Sequence, residues 1–407
     1  MFVSLKTWDD GWKALPLFLP FNNHTIMKIG FDGKRAVQNH TGLGNYSRYV
    51  MEALCLRAPQ NEYVLFAPRQ QVNTRLEALQ KRFAQLITVF PDTWIGRKLS
   101  AWWRVWGVTS QLSREEVDVF HGLSNELPLN ISSGNIPSVV TMHDLIFLRH
   151  PELYGRADQA ICAFKARQAC QKADVIIAIS ECTKRDIMHY YGTDPTKIEV
   201  VYQGCDPVFG EIPSPEALAD VRCRYDLPAR FVLNVGSIEK RKNVLLVVKS
   251  LSSLPEEAHL VIVGKHTPYT DEVVAYAATH GLSHRVRILH NVPFGDLPAF
   301  YRCAEVFVYP SRYEGFGIPI LEALESEVPV VAATGSCLEE AGGPDSCYVH
   351  PDDVEGMGQI LSRLLSCPEE RRRMAQAGKI YARRFRADEH AERLLAVYER
   401  IKNINAF

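Results

Sequence analysis

Two glutamates with seven residues between them, Glu314 and Glu322, bracket a glycine-bearing loop in the stretch Ser311–Glu325, SRYEGFGIPILEALE. An apolar strand pattern, Val306–Tyr309, runs into the loop, and Pro319 opens a helix behind it. Proline suits the first helical turn because its missing N–H would go unpaired there. Gly315 and Gly317 let backbone approach a ligand closely. The free amides and positive dipole end of the helix start form an anion site. Glu322 follows Pro319 by three residues, roughly 4–5 Å along the axis. One short unit thus offers a phosphate cradle with two acceptors for hydroxyls, which is what a sugar nucleotide would need.

A second cluster answers the first. The turn Gly236–Asn243 places Arg241 and Lys242 just ahead of a helix. Arginine offers phosphate a planar fork and lysine a mobile point charge, so the pair can hold a diphosphate without a metal. A basic surface turn is the plain alternative. It loses ground because both loops follow strands of one sheet and face the same edge. In the first half, His143 lies at the carboxyl end of the strand Ser138–Leu145, where open α/β sheets place ligands, with Asp144 beside it. A glycine loop, Thr41–Gly44, follows the strand Lys28–Asp32 and precedes a helix near Asn45–Arg57. That strand–loop–helix unit opens a Rossmann-like domain, although Gly42-x-Gly44 alone serves equally well as a tight turn.

The elements that must position these residues alternate along the chain. Short buried-type strands and helices run to about residue 204, restart at Phe231 and end in three helices after Val354. The break at 205–228, with Pro207, Pro213, Pro215 and Pro228, reads as an interdomain connection. The expected fold is α/β, with two doubly wound Rossmann-like domains facing each other across a cleft and a helical C-terminal tail. The expected bounds are 27–204 for the first domain, which the resemblance given below makes an acceptor domain, and 229–384 for the second, a nucleotide-sugar domain. Residues 385–407 form a last helix that packs back on the first domain. Residues 1–26 read as an appendage whose apolar run, Ala14–Phe21, is broken by prolines and preceded by Asp9 and Asp10. Met27 is either the start or an internal methionine.

The segment Arg97–Leu112 looks helical and carries Trp102, Trp103 and Trp106 among Arg97, Lys98 and Arg104. Tryptophans packed on the sheet are the favoured reading, and a membrane-surface helix is the sharper alternative. The basic face from Arg371 to Arg386 reads as solvated, with docking to acidic lipid or a partner as its alternative. The 407 residues carry a net charge of -1, so no general basic field invites nucleic acid. Ten cysteines without a C-x-x-C pair point to reduced thiols in a cytoplasmic compartment and away from a zinc site.

From Lys28 onward these residues resemble the retaining nucleotide-sugar glycosyltransferases of the GT-B fold, glycosyltransferase family 4. The resemblance rests on Glu314-x7-Glu322 within EGFGIPILEA, the Arg241-Lys242-Asn243 turn, His143-Asp144, the strand Ala173–Ser180 and Gly42-x-Gly44, in that family's order. It is strongest for the bacterial mannosyltransferase-like branch that builds surface polysaccharides. The resemblance implies that Glu322 bonds the ribose hydroxyls and Glu314 the sugar hydroxyls. The amides of Gly315, Phe316, Gly317 and Ile318 would line sugar and phosphates, beside Gly236. Arg241 and Lys242 would stabilise the departing diphosphate, His143 would face the C6 hydroxyl, and Gly44 would let the first loop close. Ser237 stands where many members carry arginine. The implied donor is GDP-mannose, with a UDP-hexose second. The acceptor is a glycan or lipid-linked hydroxyl, and no cofactor or metal is expected. The expected place is the cytoplasm, with peripheral association at the inner face of the plasma membrane as the further option. A nucleotide-sugar epimerase and a silent nucleotide-sugar-binding scaffold subunit are the alternatives.

Overall fold

The computed structural model describes residues 26–39 and 42–404. Residues 1–25, and with them the expected appendage, lie outside the described residues. Two all-parallel sheets account for the alternation. The first is built from β1 (Lys28–Asp32), β2 (Glu62–Phe66), β3 (Leu86–Val89), β4 (Val119–Gly122), β5 (Ser138–Met142), β6 (Val175–Ala178) and β7 (Ile198–Val200), in the order β3-β2-β1-β4-β5-β6-β7. The second is built from β8 (Phe231–Val235), β9 (His259–Val263), β10 (Val286–Leu289), β11 (Val306–Tyr309), β12 (Val330–Ala333) and β13 (Cys347–Val349), in the order β10-β9-β8-β11-β12-β13. Strands this short and apolar are stable only with helices on both faces, and the inner strands β4, β5, β6, β8, β11 and β12 are accordingly buried along their whole length. Each sheet reverses its strand order once, between β1 and β4 and between β8 and β11. Open α/β sheets hold their ligands at such points.

The two domains share packing. Ile146, Ile179 and Cys182 of the first domain join a core cluster with Phe307, Phe316 and Leu338 of the second. The last helix, Ala387–Ile404, returns to the first sheet. There Tyr398 Oη lies 2.7 Å from His121 Nδ1, and Arg57 pairs with Glu392 at 2.8 Å. Leu394, Val397 and Tyr398 share the core of Ile29 and Phe31.

Two expectations change. The expected glycine loop is not a loop at Gly44, because a helix spans Gly42–Arg57. Gly44 sits in its first turn, where a Cβ would lie 2.0 Å from the Asn39 carbonyl oxygen. The glycine is required by close backbone packing. The tryptophan segment is also not one helix laid on the sheet. It breaks into Trp94–Lys98, Ser100–Trp102, a π-helical turn Trp103–Gly107 and Val108–Arg114. The wide turn shifts the facing of the side chains. Trp103 is buried at 2 % exposure, whereas Trp102 and Trp106 remain 50 % and 45 % exposed. Only one of the three tryptophans covers the sheet.

Candidate active site

β8 and β11 pair in parallel, Val232 opposite Val306 and Leu233 opposite Phe307, so the turns that follow them meet at the sheet's carboxyl edge. Asn243 fixes this meeting. It adopts the left-handed conformation (φ 57°), which asparagine tolerates better than most residues. Its side-chain amide donates to the carbonyls of Pro310 (3.2 Å) and Pro351 (2.7 Å). Arg241 Nη1 and Lys242 Nζ then reach the same oxygen, Glu314 Oε1, at 2.7 and 2.6 Å. Ser311 Oγ donates to that oxygen at 2.6 Å and Tyr309 Oη at 3.3 Å. Burial alone would raise the Glu314 carboxyl, but Lys242 and Arg241 outweigh it and hold the group down at about 2. Arg241 also pairs with Glu239 at 3.7 Å, so the two cations face two carboxylates in this cluster. Gly236, at φ 145°, leaves the space above this cluster open: its Cβ would come no nearer than 4.0 Å to Lys242 Cε and the Tyr309 ring.

The loop beyond Glu314 is tied down through its carbonyls. Ser180 Oγ donates to the Gly315 carbonyl at 2.7 Å, and Cys337 Sγ to that of Phe316 at 2.7 Å. Among the described residues, the amides of Gly315, Phe316, Gly317 and Ile318 donate to no protein acceptor. Gly317, at φ 135°, caps the helix Ile318–Glu325 in a conformation that L side chains avoid. The Phe316 ring faces away and stacks on Tyr202, with ring centroids 5.6 Å apart. Glu322 stands apart from the cations, against Tyr301 Oη at 2.7 Å. Burial raises its carboxyl to about 7; the tyrosine bond opposes this and Asp206 adds to it.

The first domain delivers His143. Its Nε2 lies 2.8 Å from the Leu123 carbonyl, which can only accept, so Nε2 carries the proton and Nδ1 is left as an acceptor. Burial pushes the imidazole down to about 4, so the ring is neutral at pH 7. Asn125 holds the strand end, its Oδ1 accepting from the His143 amide at 2.7 Å. The two domains touch here: a Cβ on Gly315 would lie 2.1 Å from the His143 carbonyl oxygen.

The structure therefore brings Glu314, Arg241, Lys242, Gly236 and the Gly315–Ile318 loop together, with His143 across the domain boundary. Glu322 marks the far end of the same helix start, and Gly44 is engaged in packing. Sequence reasoning missed Ser311, Tyr309 and Tyr301, which orient the two glutamates, because a hydroxyl beside a strand carries no signal of its own. It also missed Tyr46, edge-on to His143 at 4.6 Å, and Arg35. Arg35 Nε is buried without a hydrogen-bond partner among the described residues, and the residue acts electrostatically on His143. Asp144 lies within electrostatic reach of both Arg241 and Glu314, and burial raises its carboxyl. Among the described residues no group of three or more His, Cys, Asp or Glu is arranged to hold a metal.

A family model described as Glycosyl transferases group 1 matches residues 225–402, and one described as Glycosyltransferase Family 4 matches residues 42–209. O-antigen chain mannosyltransferase B of Escherichia coli is 26% identical over 382 residues, covering 88% of this chain and 96% of that protein. Serotype-specific mannosyltransferase WbdA of Escherichia coli is 28% identical over 61% of this chain, a match that spans only 32% of that longer protein. Among solved structures, Anabaena HepE in complex with UDP and glucose aligns with a TM-score of 0.71 at 17% identity, over 92% of this chain and 99% of that one. At that identity the likeness is one of fold.

Proposed function

We propose that this glycosyltransferase of the GT-B fold, with O-antigen chain mannosyltransferase B among its relatives, catalyses retaining, metal-independent hexose transfer from a nucleoside-diphosphate sugar. The observation that carries this reading is the convergence of Arg241 and Lys242 on one oxygen of Glu314, beside four unpaired amides. Loosening the anomeric C–O bond builds negative charge on the leaving phosphate. Two fixed cations and a row of N–H dipoles stabilise that charge without reorganising as it forms. Glu314 keeps both cations aimed before the donor arrives, and its other oxygen faces the sugar hydroxyls. Neutral His143 accepts from the sugar through Nδ1. Glu322, at the other end of the loop, takes the ribose hydroxyls. The acceptor hydroxyl attacks from the leaving-group face, and the departing phosphate oxygen takes its proton.

Mannose is the favoured sugar and GDP-mannose the favoured donor, supported by the mannosyltransferase relatives. A UDP-hexose ranks second, a choice kept in view by the structural neighbour's UDP and glucose. The acceptor is a glycan or lipid-linked hydroxyl. The reaction belongs at the cytoplasmic face of a membrane, supported by the half-exposed Trp102 and Trp106 beside Lys98. No helix among the described residues is long and apolar enough to cross a bilayer. A thermal-shift screen over GDP-, UDP- and dTDP-sugars, followed by transfer assays with and without chelator, tests the reading. A nucleotide held by the native state alone raises stability by RT ln(1 + [L]/Kd), so one base should stand out. A trapped glycosyl-enzyme adduct, or activity lost in chelator and restored by manganese, would refute the mechanism.

A further inference from the structure

The second domain uses its strand-order reversal, between β8 and β11, for the donor cluster. The first domain has a reversal of its own, between β1 and β4, and a chamber opens there. Its volume is about 290 Å³. Phe66 and Phe120 form its floor on the sheet, Trp103 and Val108 one wall, and Ile161 and Phe164 of the helix Arg156–Lys172 the other. Ile161 and Phe164 are half-exposed, which marks the mouth.

One end of this apolar space is charged and fully paired. Arg104 bridges Asp32, at the end of β1, and Glu126, after β4, and Lys165 joins Glu126 at 3.1 Å. Asp32 and Glu126 pair with Arg104 and Lys165, and Lys34 lies within electrostatic reach of both carboxylates, so the patch offers a sugar or linker both acceptors and cations. Glu126 adjoins Asn125, which holds the His143 strand end, and His143 touches the Gly315 loop. The polar end of the chamber therefore runs by covalent neighbours and direct contacts to the place of transfer. The segment that walls it, Trp94–Val108, turns Ile95, Leu99, Trp102 and Trp106 outward, so an apolar surface lies on the other side of the same wall.

We propose that this chamber holds the proximal hydrocarbon of a lipid-linked acceptor, with the Asp32–Arg104–Glu126–Lys165 patch taking the sugar or linker that follows it. The inference rests on the transfer reading and narrows the acceptor to an amphiphile. A head group sits at the polar end, one contact from His143, while the chain leaves past Ile161 and Phe164. A purely water-soluble glycan would leave Ile161 and Phe164 at the mouth exposed to water.

The test reads binding without donor, so it does not depend on turnover. Decyl α-mannoside and methyl α-mannoside, both below micelle formation, are titrated by calorimetry and by tryptophan fluorescence. Each buried methylene contributes about fourfold in affinity, so the decyl compound should bind at least 100-fold more tightly, an order-of-magnitude expectation. Ala160→Trp, on an exposed position that fills the mouth, and Phe164→Gln should each weaken decyl binding about tenfold or more while leaving methyl mannoside binding and GDP-mannose binding unchanged. Trp102→Ser, on the outward face, should leave decyl binding intact. Equal affinity for both mannosides, or loss on Trp102→Ser with no effect of the two mouth variants, would overturn the chamber as the site. Failure of every nucleotide sugar to bind would instead strike the transfer reading, and decyl binding would still report on the chamber.

Discussion

Glu314 and Glu322 are the same residue type eight positions apart, and their surroundings drive them in opposite directions. Glu314, held at about 2 by Lys242 and Arg241 against burial, stays ionised throughout any working pH. Glu322, raised by burial to about 7, changes charge in the working range. If ribose hydroxyls donate to its carboxylate, nucleotide affinity should rise about tenfold between pH 6 and pH 8, and Glu322→Gln should flatten that dependence in calorimetry. The stability sign is opposite. A carboxyl raised in the folded state stabilises fully below its unfolded value, near 4.5, and that contribution is lost as pH rises through about 7. Glu322→Gln should therefore raise the melting temperature at pH 8 and not at pH 4, by on the order of 1–3 kcal/mol in stability. Glu322→Ala should weaken nucleotide binding itself, whereas Glu314→Ala should mainly lower turnover; loss of affinity alone in both would refute the division. Arg241→Ala and Lys242→Ala should each cost about 10²–10³ in kcat, the usual scale for removing a pre-placed donor to a developing anion. Near-normal turnover in both would remove them from the chemistry.

At the level of elements, the loops meet because their strands pair. The strand patterns Phe231–Gly236 and Val306–Tyr309 are legible as runs of apolar residues, and the helices behind them follow from their breakers. The pairing of β8 with β11 is not legible, since parallel neighbours need not be consecutive. The tryptophan segment shows the limit of periodicity. A regular helix over Arg97–Leu112 would send the three tryptophans in directions set by the 3.6-residue period, but the π-helical turn resets the phase and leaves an outward apolar face. That face should carry the protein to vesicles containing phosphatidylglycerol in a flotation assay. Replacing Trp94, Trp102 and Trp106 by serine should abolish flotation, and added salt should weaken it through Arg97 and Lys98. An unchanged floating fraction in the triple variant would exclude this face.

At the level of the molecule, the site exists only while both domains are apposed. Glu340 of the second domain accepts from the amides of Glu181 and Cys182, at 2.7 and 2.9 Å, at the start of a first-domain helix. Ser180 meanwhile bonds the Gly315 carbonyl. Glu340→Ala should loosen this closure, giving a larger radius of gyration in solution scattering and a lower kcat with little change in nucleotide affinity. Unchanged scattering and kcat would show that the contact is dispensable. The sequence alone determined the two α/β domains, the glycine loop between two glutamates and the cationic turn, because period, glycine placement and charge are local properties of the chain. Tertiary structure alone decided that Arg241 and Lys242 share one oxygen of Glu314, that their surroundings shift the two glutamates in opposite directions and that Gly44 answers to packing. It also decided that a chamber opens at β1 and β4. Burial, strand pairing and domain contact set these, and each depends on residues far apart in the chain, whose mutual distance no local pattern encodes.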